Sequence, residues 1–224
     1  MRVVVAKLGG NALTSLHDAL ALAEGRPLAI VHGGGAQISE LMRRRGIEPR
    51  FVGGRRVTDL PILACVRSAL ARVSDELADA LRAAGRQPAQ LVRGEALVGC
   101  RLEELGLVGR IERVDRAPLD AAWAAGLVPL LAPLARDGTS ERYLNVNADD
   151  VAAALAVALR ADELVFLSDV PGVLDADGAV IRSIRASAPP TVDGGMLPKL
   201  EACGTALAAG VRSVRIGAGT VVTA

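Results

Sequence analysis

Hydrophobic positions along the chain follow two alternating rhythms. Short β-branched runs, VVVAKL (3–8) and PLAIVH (27–32), predict strands buried on both faces. Between and after them, apolar residues recur at helical spacing in SLHDALALAE (15–24) and AQISELMRRRG (36–46), the second ending at a glycine C-cap. The stretch 60–85 predicts one long helix or two, and QPAQLV (87–92) returns to strand. The middle differs: GLVGRIERVD (106–115) alternates and predicts an antiparallel hairpin rather than another crossover. A helix over 117–126, a strand over 127–134, a helix over 148–161, a strand over 163–174, a helix over 198–210 and strands over 211–217 and 219–224 complete the chain. Strands alternating with helices predict an α/β fold with a largely parallel sheet wrapped by helices. No linker, repeat or low-complexity segment interrupts it.

Composition narrows the chemistry. Hydrophobic residues make up 51% of the 224 positions but aromatics only 2%, so the core is aliphatic and base stacking on aromatic platforms is excluded. A net charge of +1 is no footprint for nucleic acid. The one basic cluster, Met42 to Arg45, suits a solvated helix end. Cys65, Cys100 and Cys203 are far apart and lack CxxC spacing, which predicts reduced core residues of a cytoplasmic protein. No apolar run reaches the length of a membrane span, and none near the start reads as a signal peptide.

Two strand exits are rich in glycine: KLGGNAL (7–13) and HGGGAQI (32–38). Ligands of open α/β sheets bind beyond such strand ends, and glycine lets an anion approach bare N–H groups. Neither segment is a GxxxxGK[ST] loop or a GxGxxG fingerprint. Lys7 sits at the end of a buried strand, a poor place for an ammonium without a task, against the plainer reading of a stem that snorkels to the sheet edge. Lys199 follows a third glycine pair and opens a helix, where a lysine opposes the helix dipole. In NVNADD (145–150), Asn147 is a natural N-cap, while Asn145 offers an amide to a ligand and Asp149 a carboxylate to hold a lysine. GGRRVTD (53–59) supplies an arginine fork for a carboxylate, and His32 is expected to pack and hydrogen-bond rather than catalyse. No Ser-His-Asp or Cys-His pattern supports a hydrolase triad.

The segments KLGG, VHGGG, FVGGRRVTD, LNVNADDVAAALA, LSDVPGVL and GGMLPKLEA resemble, in order and spacing, the amino acid kinase family, over Met1 to about Gly210. The resemblance implies a three-layer αβα sandwich in which one continuous sheet serves an N-terminal lobe (1–158) for an acyl-amino acid and dimerisation, and a C-terminal lobe (159–224) for ATP. It implies transfer of the γ-phosphoryl group of ATP to the side-chain carboxylate of N-acetyl-L-glutamate, a step of arginine biosynthesis. Lys7 and Lys199 then neutralise the transferring group, and Asp149 orients them. Gly34 and Gly35 match substrate-holding glycines, Arg56 the arginine on the α-carboxylate and Asn145 the asparagine near the acetylamino group. Gly9, Gly10, Gly195 and the loop Asp169, Val170, Pro171, Gly172, Val173 and Leu174 match nucleotide contacts. Mg²⁺ is expected to arrive with ATP rather than at a protein metal site, and no general base is needed because the acceptor carboxylate is already ionised at neutral pH.

Two departures stand out. Ile216 runs almost directly into GAGTVV where the family has a further turn and helix, so the nucleotide lobe is expected to be shortened. The chain also begins at its first strand, from which a homodimer insensitive to arginine is expected. The competing readings are a sister kinase acting on carrier-linked aminoadipate or glutamate, a non-catalytic amino-acid sensor, and a dinucleotide-dependent oxidoreductase. The near-neutral charge gives little support to the first, the paired lysines argue against the second, and the missing fingerprint argues against the third.

Overall fold

The computed structural model describes residues 2–10, 12–140, 142–191 and 196–224. The elements in chain order are β1 (Val4–Leu8), α1 (Ala12–Leu22), β2 (Leu28–His32), α2 (Gly35–Arg44), β3 (Phe51–Val52), β4 (Arg55–Arg56), α3 (Leu60–Ala83), β5 (Pro88–Leu91), β6 (Leu97–Arg101) and β7 (Val108–Val114). There follow α4 (Ala117–Ala124), β8 (Val128–Leu131), β9 (Leu134–Asp137), β10 (Tyr143–Val146), α5 (Ala148–Leu159), β11 (Glu163–Leu167), β12 (Ser183–Arg185), α6 (Met196–Ala208), β13 (Ser213–Ile216) and β14 (Thr220–Thr223).

Eight strands form the central sheet in the order β12-β14-β13-β11-β1-β2-β8-β5. Every neighbouring pair is parallel except β13 with β14. The strands β1 and β2 are buried at every position, which is why their sequences run apolar without alternation. Their side chains still divide strictly between two faces. Val3, Val5, Ala29 and Val31 pack with Val151, Ala152 and Leu155 of α5, whereas Val4, Ala6, Leu8, Leu28 and Ile30 pack with Leu16 of α1 and Leu77 of α3. By the same parity Lys7, next to last in β1, lies on the α5 face, and His32 ends β2 on the opposite one.

Several elements depart from the sequence reading, each for a physical reason. Residues 60–85 form a single helix, since Asp59 caps it by accepting from Ile62 N at 2.8 Å and Pro61 occupies its first turn. The predicted strand 127–134 ends early: β8 belongs to the central sheet, and only Leu134 of that stretch falls in β9, which turns away to pair with β10 and β6. The alternating segment 106–115 is not a hairpin by itself; β7 pairs antiparallel with β6, which lay outside the predicted elements. β6, β7, β9 and β10 close into a small barrel beside the main sheet. The strand from Glu163 ends at Leu167, and residues 168–174 leave it as loop. The direct passage from Ile216 is a tight β-hairpin, with Ile216 paired to Thr220 and Gly217 at a positive φ of 58°. Cys65, Cys100 and Cys203 are free thiols; Cys65 and Cys203 are buried as expected, but Cys100, on the small barrel, is only half-buried. Among the described residues, no helix is long and apolar enough to cross a membrane.

Thr220, wholly buried on β14, ties this loop to the sheet: its Oγ1 accepts from Val173 N at 2.9 Å and donates to Ile181 O at 2.7 Å. Gly172 is the neighbour that makes room, because a Cβ there would lie 2.5 Å from Thr220 Oγ1. Replacing Thr220 by Val strands a buried N–H and a half-buried carbonyl. Urea unfolding is expected to show a loss of about 1–3 kcal/mol, and an unchanged midpoint would refute this role.

Candidate active site

The carboxyl ends of β1 and β2 open beneath the N-terminus of α5. Asn147 caps that helix, its Oδ1 accepting from the backbone N–H of Asp149 at 2.7 Å and of Asp150 at 3.4 Å. This fixes Asp149 in the first turn, directly over the face of β1 that carries Lys7. Lys7 Nζ lies 2.9 Å from Asp149 Oδ1, and Lys199 Nζ lies 3.1 and 3.2 Å from its two oxygens. The lysines come from opposite ends of the chain, on β1 and on α6, and converge on a single carboxylate. Lys7, Asp149 and Lys199 are 9, 7 and 6% exposed, so the snorkelling alternative for Lys7 does not hold.

Burial opposes the charge on Asp149, but the two ammonium groups outweigh it and hold the carboxyl below its ordinary range. The Lys199 ammonium is pushed down, first by burial and then by Lys7 beside it. Two cations on one anion leave a positive charge in excess, which suits an incoming phosphate. Lys199 also stands 5.0 Å from the centroid of the Phe166 ring.

A cavity of about 210 Å³ opens on the Lys7 side, lined by Gly33, Gly34, Gly35, Arg56, Asn145 and Asp149 among others. Gly34 stands at the N-cap of α2 without a side chain, so no side-chain cap serves the first amides of that helix. A Cβ on Gly35 would meet only open space, whereas one on Gly34 would lie 2.8 Å from Leu70 Cδ2. Gly34 is therefore required partly by the packing of α3, a constraint the anion argument alone did not contain. Arg56 is buried and donates to Gly35 O at 3.0 Å and Ser39 Oγ at 2.9 Å, with its guanidinium 4.6 Å from the centroid of Phe51. Asn145 Nδ2 donates to Thr58 Oγ1 at 3.0 Å, and that hydroxyl donates to Arg56 O at 2.7 Å. Asn145 thus braces the arginine as well as lining the cavity. The β3–β4 hairpin turns through Gly53 and Gly54 at φ of 53° and 73°. Sequence reasoning missed Thr58 and the pair Arg55–Asp150, joined at 2.8 Å between the hairpin and α5. Only three-dimensional proximity reveals that pair.

A second cavity, of about 490 Å³, is lined by Val170, Gly172, Val173, Leu174, Ile181 and Met196 among others, the last in the first turn of the helix that carries Lys199. Pro171 and Asp169 do not line it. Pro171 O accepts from Gly219 N at 2.9 Å, which fastens the loop to the β13–β14 hairpin. Asp169 lies against Gly10: a Cβ there would fall 2.0 Å from Asp169 Oδ2. Gly9 likewise clears space for Lys7, whose Nζ would be 2.8 Å from an added Cβ. Gly195 lies outside the described residues. Among those described, no three His, Cys, Asp or Glu side chains cluster as a metal cage.

A family model described as the amino acid kinase family matches residues 2–218, and the chain belongs to that family. Among its relatives, an acetylglutamate kinase of Koribacter versatilis is 42% identical over 95% of this chain and 89% of its own length. An acetylglutamate kinase of Methanopyrus kandleri is 40% identical over 97% and 99%. The crystal structure of smu.665 from Streptococcus mutans UA159 superposes with a TM-score of 0.90 at 32% identity, covering 99% of this chain and 98% of that one.

His32 is buried and uncharged, its pKa pushed down to about 4 by burial, with the hydrogen bond to Gly33 opposing weakly. The unfolded imidazole titrates near 6.5, so between that pH and about 4 the unfolded chain binds the extra proton. The stabilising contribution is complete above the upper value and declines as pH falls toward the lower. Urea unfolding should show wild type losing about 2 kcal/mol more than His32→Asn between pH 7 and pH 5. Equal losses in both proteins would contradict a buried neutral imidazole.

Proposed function

We propose that this chain phosphorylates the side-chain carboxylate of N-acetyl-L-glutamate at the expense of ATP, the reaction named by its acetylglutamate kinase relatives and placed in arginine biosynthesis. The observation that carries the reading is the convergence of Lys7 and Lys199 on Asp149 at a cavity that Lys7 and Asp149 themselves line. A pure binding module has no need of two buried lysines on one carboxylate.

In this reading the acyl-amino acid occupies the first cavity with its α-carboxylate toward Arg56 and its acetylamino group toward Asn145. The nucleotide occupies the second, against Val170, Gly172, Val173 and Leu174, and its γ-phosphate reaches between the lysines. A carboxylate oxygen forms a bond to the γ-phosphorus as the bond from that phosphorus to the β-phosphate bridging oxygen breaks, and ADP leaves with the electron pair. No proton is transferred, so no general base is required. The protein's part is in-line placement and neutralisation of charge that builds on the equatorial oxygens. Asp149 is occupied by two ammonium groups, so Mg²⁺ would be carried by the nucleotide's own phosphates, where it supplies further charge neutralisation.

The same reading assigns residues 1–158 to the acyl-amino-acid lobe and 159–224 to the nucleotide lobe. It includes a cytoplasmic homodimer, for which the uncovered edge strand β5 beside α3 is the supporting feature. ATP-dependent hydroxamate formation with N-acetyl-L-glutamate tests the assignment. Wild type is expected to be active, with Lys7→Ala and Lys199→Ala each lowering turnover roughly 10²–10³-fold. Wild-type turnover in either variant, or no activity of wild type on the free acyl-amino acid, would overturn the reading.

A further inference from the structure

The strand β2 ends in a histidine that the phosphotransfer reading leaves without a task. His32 is completely buried, and its Nδ1 lies 2.8 Å from Gly33 O. A carbonyl oxygen can only accept, so Nδ1 carries the proton and Nε2 is the bare nitrogen. Nε2 is also buried without a protein partner. A buried imidazole with a single hydrogen bond is a costly way to end a strand if packing were its purpose, because an aliphatic residue of similar size would avoid the desolvated nitrogen.

The value of that single bond follows from the peptide plane. The Gly33–Gly34 peptide is trans, so its C=O and N–H point in opposite directions. His32 lies on the sheet face that carries Leu28 and Ile30, packed toward α1 and α3. Lys7 lies on the other face, under α5 and beside Asp149. A Gly33 carbonyl held toward His32 therefore turns the Gly34 N–H toward the Lys7 side, where Gly33, Gly34 and Gly35 line the first cavity. Glycine at both positions gives this peptide no side chain to fix its orientation, and Gly33 N is already committed to Leu8 O at 2.8 Å.

We propose that His32 is a positioning residue that locks the Gly33–Gly34 peptide with its N–H facing the transferring phosphoryl group, so that the amide is pre-aimed before substrate arrives. The proposal rests on the phosphotransfer reading for what the amide meets, but the locked orientation itself does not depend on that reading. Asparagine retains a donor nitrogen at the place of Nδ1, and leucine fills the space without one.

Two measurements decide it. In the kinase assay, His32→Leu should lower kcat roughly 10²-fold while the KM for ATP stays within about twofold, and His32→Asn should recover most of the loss. Equal impairment of both variants, or an unimpaired His32→Leu, overturns the proposal. Imidazole ¹⁵N shifts of wild type, which need neither a folded variant nor activity, should report the Nδ1–H tautomer at neutral pH. An Nε2–H tautomer overturns the proposal even if His32→Leu does not fold. Failure of wild type to phosphorylate N-acetyl-L-glutamate would instead count against the functional assignment, leaving the tautomer result to judge the lock.

Discussion

Three charged groups share a nearly dry space at the centre of this molecule, and Asp149 is the only anion among them within contact distance of both cations. Removing two ammonium groups and a carboxylate from water opposes folding, and their mutual attraction offsets this only because the geometry is close and bidentate on one side. Such an arrangement is weak as a device for stability and strong as a device for chemistry. The surplus positive charge has no protein counter-ion in the triad, so an anion entering between the lysines completes it. The carboxylate also keeps the two ammonium groups from repelling one another apart while that anion is absent.

The rest of the fold can be understood as what holds this triad in place. Parity along β1 puts Lys7 on the α5 face, and the Asn147 cap brings the first turn of α5 over it. The packing of α5 against α6 carries Lys199 to the same point. Gly9 and Gly10 leave room for Lys7 and Asp169, and Thr220 fastens the loop that borders the second cavity. Lys7 and Asp149 line the first cavity, so a reactant bound in it would meet the ammonium groups.

Much of this was legible in the sequence, because burial writes itself into composition. The all-apolar runs of β1 and β2 announce strands covered on both faces, and a lysine in such a run announces a function. The N-cap at Asn147 was equally plain, since capping is local chemistry. What could not be read is non-local. Where β8 stops and β9 begins depends on which neighbours each strand meets, and β6 is recognisable only through its pairing with β7. The Arg55–Asp150 pair joins residues 95 positions apart. The glycines were read as clearances for a ligand, yet Gly9, Gly10 and Gly34 also clear space for Lys7, Asp169 and Leu70, which a one-dimensional pattern cannot distinguish.

The convergence of both lysines on Asp149 is tested most directly by the chemical step itself. Single-turnover phosphoryl transfer, followed by rapid quench at saturating ATP and N-acetyl-L-glutamate, should be at least about 10²-fold slower in Asp149→Asn than in wild type. That loss is expected in a variant whose unfolding remains cooperative, because the amide is isosteric but cannot hold two ammonium groups together. A wild-type rate in folded Asp149→Asn would show that the shared carboxylate does not organise the transfer.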